Sequence, residues 1–164
     1  PRPALLTDER IGEAKYGDWT GREIKTLTKE PLWRTVQAHP SAAIFPGPGG
    51  EGLADMQHRA VTAIREHDAR IAAEHGEDAV WAAVSHGDVI KAVLADALGM
   101  HLDLFQRISA DPCSVSVVRY APLRPFVLRM NDSGGDLAPY APTRKKTRRR
   151  RSSSDAVVGG STGT

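Results

Sequence analysis

Apolar residues recur at intervals of three and four along two stretches of the first half of the chain, which is typical of amphipathic helices. In "REIKTLTKEPLWRTVQAH" the interruption at Pro31 predicts a kink or the start of a second helix. The more regular stretch begins at Glu51 and predicts one helix that ends near Gly76. Its stripe consists of Leu53, Met56, Ala60, Ile64, His67 and Ile71. The intervening "PSAAIFPGPGG" is rich in proline and glycine and predicts a loop.

The pattern changes at "DAVWAAVSHGDVIKAVLADALG", residues 78–99. The run "DAVWAAVS" is apolar but too short for an isolated helix, so it predicts a buried strand. The following residues return to helical spacing, with Asp88 suited to the helix N-terminus and Gly99 to the position after its end. A strand, a short loop and a helix are therefore predicted around His86.

The C-terminal third predicts a β-hairpin and then a tail. "HLDLFQRIS" has the pattern of a short helix, and the turn "APLR" joins two predicted strands, "CSVSVVRYA" and "RPFVLRMN". From Asn131 onward the chain is rich in Gly, Pro, Ser and Arg and poor in apolar residues, so we expect disorder. The pattern thus predicts one α/β domain over residues 1–130 and a disordered tail over residues 131–164.

The net charge of +2 averages two unlike segments. Residues 1–143 carry 15 basic and 19 acidic residues, whereas "RKKTRRRR" at 144–151 holds seven basic residues. The single cysteine, Cys113, excludes a disulfide within the chain and a cysteine-based zinc site. We expect a cytoplasmic protein without membrane contact, since no apolar run is long enough to cross a bilayer and "PRPALLTDER" is unlike a signal peptide.

His86 is the first candidate for chemistry, because it lies where a predicted strand gives way to a helix. Open α/β sheets bind ligands at such positions, and the free N–H groups at a helix start favour anions. Gly87 permits close backbone approach or a positive φ. On these grounds alone His86 is a residue that donates a hydrogen bond to a phosphate, a base, or a structural residue that hydrogen-bonds a neighbouring carbonyl.

A second candidate is "DERIGEAKYGDWTG", residues 8–21, which we name the acid loop. Among its carboxyl groups, Glu9, Glu13 and Asp18 are candidates for a general acid if a nearby negative charge raises the pKa of one of them. The two aromatic residues, Tyr16 and Trp19, set it apart from an ordinary solvated loop.

Glu51 lies at the start of the predicted long helix, after a Gly-Pro loop. The helix dipole favours an acidic residue at this position, so a purely structural role is sufficient to explain Glu51. Arg59 has the pattern of a helix-surface charge, and His58 is expected to be exposed. His58 and His67 are nine residues apart, so the spacing of a zinc site is not met and no metal is predicted.

Three segments in order, "DERIGEAKYGDWTGREI", "GPGGEGLADMQHRA" and "VWAAVSHGDVIKAVLADALGM", resemble the histidine phosphatase superfamily of phosphoglycerate mutase-like proteins, in its broad-specificity phosphatase branch. The resemblance covers about residues 6–130. It implies a three-layer α/β/α fold, a small phosphorylated substrate and no cofactor.

The resemblance also implies roles for individual residues. His86 in "SHG" matches the histidine that hydrogen-bonds the transferring phosphoryl group as a cation. Glu13 in "IGEAKYGDWTG" matches the general acid that protonates the departing alcohol oxygen and then assists water. Glu51 matches an acid that supports the site, and with Gly87 and Tyr16 it completes the predicted substrate-binding residues.

The chain departs from the family pattern at its nucleophile. The family's phosphorylated histidine lies in an N-terminal Arg-His-Gly, and these 164 residues contain no such tripeptide, nor the family's second phosphate-binding arginine segment. We therefore expect this chain to be the C-terminal part of a phosphatase or phosphomutase, inactive alone. Loss of the nucleophile-bearing strand is expected to leave Val80, Ala82 and Val84 on an exposed, unpaired edge.

An alternative is a catalytically degenerate phosphatase fold that serves as a binding module. Its basic tail then contacts nucleic acid or another polyanion weakly and without sequence specificity. A solvated low-complexity tail without a partner is the simpler interpretation. The identity of the substrate and the oligomeric state are left open by the sequence.

Overall fold

The computed structural model describes residues 5–135, and the statements below concern that part of the chain. Within it lie four α-helices and a two-stranded antiparallel sheet. The helices are α1 (Ile24–Leu27), α2 (Pro31–Ala38), α3 (Leu53–His75) and α4 (Gly87–Ala97), and the strands are β1 (Val115–Tyr120) and β2 (Pro125–Asp132). Short 3₁₀ turns cover Glu9–Ile11, Gly17–Trp19, Pro40–Ala42 and Leu102–Arg107. The predicted mixture of helix and strand is confirmed.

The first helical stretch divides into two helices at Pro31. Proline has no N–H to donate and its φ suits the first turn of a helix, so Pro31 begins α2. Trp33 and Val36 on α2 are buried, as is Leu27 on α1. Of the two predicted outcomes at this proline, a second helix is therefore the one observed.

Helix α3 has the predicted length, and its first three turns form the central packing surface. Leu53, Met56 and Ala60 are buried there, whereas Ile71 near the other end is partly exposed. Gly76 ends the helix with a φ of 97°, a value that glycine adopts without strain. The predicted stripe therefore contacts the core mainly through its N-terminal half.

Helix α4 packs against α3 and is the most buried element of the fold. Val89, Leu94 and Ala95 are nearly inaccessible to solvent, and the Gln57 side chain donates a hydrogen bond of 3.0 Å to the carbonyl of Ala92. Phe105, from the 3₁₀ turn that follows, is fully buried in the same core. This packing fixes the start of α4, where His86 lies.

The predicted hairpin is confirmed, with pairs that run from Tyr120 opposite Pro125 to Val115 opposite Asp132. Strand β2 continues two residues beyond the domain boundary predicted at residue 130. Asn131 is held there by its side-chain NH₂, which donates to Asp111 at 2.7 Å. The predicted basic tail, residues 144–151, lies outside the described residues.

The strand predicted over residues 78–85 is wrong for the described part of the molecule, which has neither strand nor helix there. A strand is held by hydrogen bonds to a neighbouring strand, and residues 80–85 form no backbone ladder with any described segment. Val80 is 97% exposed and Val84 is 89% exposed. The predicted exposure of this apolar edge is therefore confirmed, although the regular strand geometry is not.

Candidate active site

The acid loop is anchored to the core by its aromatic side chains. Trp19 is 4% exposed and stacks on Trp33 with 6.2 Å between ring centroids. Tyr16 packs edge-on against Phe45 at 5.0 Å. Burial of these rings accounts for the two aromatic residues in an otherwise polar loop.

Gly17 allows the acid loop to approach the segment that precedes α3. Its φ is 53°, and a Cβ atom at this position would lie 2.1 Å from the carbonyl oxygen of Pro46. The next N–H, of Asp18, donates to that same carbonyl at 2.8 Å. Any side chain at residue 17 would therefore displace the loop.

Arg59, which the sequence predicted to be a surface charge, is instead a largely buried clamp on the acid loop. One terminal nitrogen donates to the carbonyls of Arg10 and Gly12, at 2.7 and 2.9 Å. The other donates to the carbonyl of Glu13 at 3.0 Å and to Glu51 at 2.6 Å. A final bond joins its Nε to the second Glu51 oxygen at 2.9 Å. The guanidinium thus holds the backbone of the loop that carries Glu13.

Glu51 completes this clamp. Besides its two bonds from Arg59, its carboxylate accepts a hydrogen bond of 2.8 Å from the backbone N–H of Lys15. Burial opposes ionisation, but the bonds from Arg59 and Lys15 outweigh it and lower the pKa of Glu51. The structure therefore places Glu51 as an ionised support of the acid loop.

His86 lies at the N-cap position of α4, with extended backbone and an exposed side chain. Its carbonyl accepts the first hydrogen bond of the helix, from the N–H of Ile90. The preceding residue, Ser85, donates its hydroxyl to the carbonyl of Ile11 at 2.7 Å. This bond ties the residues before α4 directly to the acid loop. Gly87, the first residue of α4, does not have a positive φ, so a positive φ is not the reason for a glycine at this position.

Glu13 extends its carboxyl group to the start of α4. The group accepts a hydrogen bond of 2.9 Å from the N–H of Ala14 and another from the backbone N–H of Asp88. Burial is the main cause that raises the pKa of Glu13, and the negative charge of Asp88 raises it further. The two N–H groups and His86 act in the opposite direction but do not outweigh burial. The predicted acid and the predicted phosphate-binding histidine are thus brought to one end of one helix.

Tyr16 does not face open solvent, because its hydroxyl is bonded to Asp88 Oδ2 at 3.0 Å. Burial, followed by the charge of Asp88, raises the pKa of this hydroxyl well above its usual value, so it serves as a donor. Asp88 itself is 1% exposed.

The contacts of Arg59 and Asp88 were not predicted from the sequence. The sequence did contain one indication of the Arg59–Glu51 pair. The two residues are eight positions apart, a spacing that places them on the same side of α3 and of the residues just before it. For Asp88, the sequence indicated only a residue type that is common at the start of a helix, and nothing indicated its contact with Tyr16.

Residues 5–135 contain no group of three or more His, Cys, Asp and Glu side chains placed to hold a metal ion. His58 is exposed, as predicted. Over the same residues, no helix combines the length and the apolar character needed to cross a membrane.

Comparison with known proteins identifies the family to which the chain belongs. A family model described as "Histidine phosphatase superfamily (branch 1)" matches residues 3–133, and the chain belongs to this superfamily. A curated relative, the "Probable phosphoglycerate mutase GpmB" of Proteus mirabilis, is 30% identical over 119 residues. That match covers 71% of this chain and 52% of the relative, so the chain spans about half the length of the relative.

Solved structures agree with this assignment at the level of the fold. A mutant phosphoserine phosphatase from Entamoeba histolytica, in complex with phosphoserine, superposes with a TM-score of 0.67 at 16% identity. The match covers 79% of this chain and 62% of that one. Bacillus stearothermophilus YhfR gives a TM-score of 0.61 at 24% identity, over 76% of this chain and 60% of the other. The predicted phosphoglycerate mutase-like α/β fold is confirmed.

Proposed function

We propose that the complete protein hydrolyses or transfers phosphomonoesters through a phosphohistidine, and that this chain supplies the general acid Glu13 and the phosphate-binding His86. The observation that carries the proposal is the convergence of these two side chains on the N-terminus of α4. Membership of the histidine phosphatase superfamily supports the reaction class. The names of its relatives, a phosphomutase and a phosphatase, support either outcome for the phosphoryl group.

Glu13 is suited to proton donation because its environment favours the neutral form. Burial and the charge of Asp88 raise its pKa, so a larger fraction is protonated near neutral pH than for a free glutamate. The proton passes to the ester oxygen as the P–O bond breaks, which allows the alcohol to leave uncharged. The resulting carboxylate then accepts a proton from the water that attacks the phosphoenzyme.

His86 is suited to the phosphoryl group because its side chain is exposed beside the first N–H groups of α4. A helix N-terminus favours an anion, and a protonated imidazole adds a charged donor. His86 therefore stabilises the negative charge of the transferring group.

The nucleophile is the part that this chain does not supply. Its sequence lacks Arg-His-Gly, so we place the phosphorylated histidine on polypeptide outside these 164 residues. The exposed apolar edge at Val80 and Val84 supports this placement, since it is positioned just before His86 and has room for a neighbouring strand.

The purified chain is expected to give no turnover of p-nitrophenyl phosphate above background, because a histidine nucleophile is absent. The His86→Ala variant, measured in parallel, is the matched control for contaminating phosphatases. Hydrolysis by the chain that disappears in His86→Ala would show that a residue within the 164 supplies the nucleophile, and would overturn this part of the proposal.

The basic run at residues 144–151 supports a second, separate proposal of weak, non-specific binding to nucleic acid. Binding by phosphate neutralisation weakens steeply as salt rises. In a filter-binding assay, the full chain is expected to retain RNA at low salt and lose it at high salt. A chain that ends at residue 143 is expected to retain none. Equal retention by both would assign any binding to the folded domain instead.

A further inference from the structure

Two side-chain hydrogen bonds join the acid loop to the start of α4. The Ser85 hydroxyl donates to the carbonyl of Ile11 at 2.7 Å. The Tyr16 hydroxyl donates to Asp88 Oδ2 at 3.0 Å. In the acid loop, the proposed general acid follows Ile11 by two residues and precedes Tyr16 by three. On the other side, the proposed phosphate-binding histidine directly follows Ser85 and precedes Asp88 by two residues. The two bonds therefore bracket both residues on which the proposed reaction depends.

The Tyr16 end of this connection has a second support, whereas the Ser85 end does not. The Tyr16 ring packs edge-on against Phe45 at 5.0 Å, so the ring holds its part of the loop even without the hydroxyl. Ser85 is partly buried between two exposed neighbours, and its side chain is too small for comparable packing. Its hydroxyl is therefore what connects it to the acid loop.

Residues 80–85, which lead to His86, have few other connections. Within the described part of the chain they form no backbone hydrogen bonds to other segments. The indole N–H of Trp81 donates to Asp68 at 3.1 Å, which ties the other end of this stretch to α3. The hydroxyl of Ser85 accordingly provides the hydrogen bond that links this stretch to the acid loop.

The Ile11 carbonyl lies between two carbonyls that are held from a different element. Arg59 on α3 donates to the carbonyls of Arg10 and Gly12, at 2.7 and 2.9 Å. Ser85 donates to the carbonyl between them. The same turn of the acid loop is thus bonded to α3 through Arg59 and to the residues before α4 through Ser85.

We propose that Ser85 is a positioning residue: its hydroxyl sets the acid loop against the start of α4 and thereby fixes the position of Glu13 relative to His86. The roles of Glu13 and His86 rest on the proposed function. The bond that joins the two segments is a property of the chain itself. Displacement of a reacting group by about 1 Å can cost about 10²-fold in rate, so a single bond at this position can affect catalysis.

The first test is amide hydrogen exchange in the chain, measured by NMR at Ile11 and Gly12, whose N–H groups donate within the loop. Loss of one neutral hydrogen bond in Ser85→Ala is expected to make both amides exchange about 3- to 10-fold faster. Ser85→Thr keeps a hydroxyl and is expected to exchange like the unchanged chain. Trp81→Phe, the matched control, removes the other side-chain bond of residues 80–85 and is expected to leave both amides unchanged. Unchanged exchange in Ser85→Ala, or equal acceleration in Trp81→Phe, would overturn the proposal.

The second test is catalysis by the complete protein. Ser85→Ala is expected to lower kcat/KM for an alkyl phosphate by about 10- to 100-fold, and Ser85→Thr is expected to restore most of it. The loss for p-nitrophenyl phosphate is expected to be smaller, because its leaving group needs less protonation by Glu13. A residue that merely supports folding lowers both values by the same factor, since it changes only the fraction of folded enzyme. Equal losses for the two substrates are therefore contrary to a positioning role.

Glu13→Gln separates failure of this inference from failure of the proposed function. If Glu13 is the acid, Ser85→Ala is expected to cost little more in the Glu13→Gln background, because the group that it positions is gone. A dependence on the leaving group in Glu13→Gln but not in Ser85→Ala would reject the role of Ser85 alone. Its absence from Glu13→Gln would reject the role of Glu13, while the exchange of the loop amides still decides whether Ser85 holds the loop.

Discussion

Replacement of Glu13 by glutamine in the complete protein is expected to lower kcat/KM for an alkyl phosphate by about 10²- to 10⁴-fold, the usual contribution of a general acid. Glutamine is nearly the same size and keeps an oxygen to accept the N–H of Ala14, but it has no proton to give. Initial rates over a range of substrate concentrations measure the effect.

The leaving group provides the control for this prediction. The value of kcat/KM reports the steps up to formation of the phosphoenzyme, in which Glu13 protonates the departing oxygen. A more acidic leaving group, such as p-nitrophenol, needs less protonation, so the loss for p-nitrophenyl phosphate is expected to be smaller. Equal losses for both substrates would be contrary to the assignment of Glu13 as the acid of that step.

Stability provides a second control, because the loss of activity in Glu13→Gln must not arise from unfolding. The pKa of Glu13 is raised in the folded state, so the folded protein binds the proton more tightly than the unfolded chain does. Glu13 therefore reduces stability as pH rises from its unfolded pKa through its folded pKa. Glu13→Gln is expected to unfold at a higher temperature than the unchanged chain at neutral pH, and this difference is expected to shrink in acid.

Replacement of Arg59 by methionine is expected to lower the free energy of unfolding of the chain by about 2–4 kcal/mol, because it leaves a partly buried carboxylate and loop carbonyls without a donor. Glu51 is 14% exposed in its side chain and Arg59 is 19% exposed, so part of the loss is recovered by water. Urea unfolding of the purified chain measures the change.

A second arginine on the same helix is the matched control. Arg65 pairs with Asp96 at 2.8 Å, but its side chain is 50% exposed. Exposed ion pairs contribute little, so Arg65→Met is expected to cost less than about 1 kcal/mol. Similar losses in the two variants would show that Arg59 is an ordinary surface charge, as the sequence pattern indicated.

The helices and the hairpin were predictable because each depends on local patterns. Helix α3 follows from its apolar spacing and from Gly76, and α2 begins at Pro31 because proline tolerates only the first turn. Glu13 and His86 were predictable as site residues because each lies in a short sequence motif of the family. Their closeness in the fold was expected only from the resemblance. The contacts that produce it, such as the bond from Ser85 to Ile11, join residues 74 positions apart, so no local pattern could predict them.

The sequence by itself determined the helices, the hairpin, the acid loop and the absence of an Arg-His-Gly nucleophile, because each of these is a property of neighbouring residues. Only the tertiary structure decided that Arg59 is a clamp and that Asp88 is buried beside Glu13, because the burial of a charge depends on what packs over it. The same reason explains the exposed residues 80–85. Their apolar pattern favours a strand, but a strand forms only where a neighbouring chain segment supplies its hydrogen bonds.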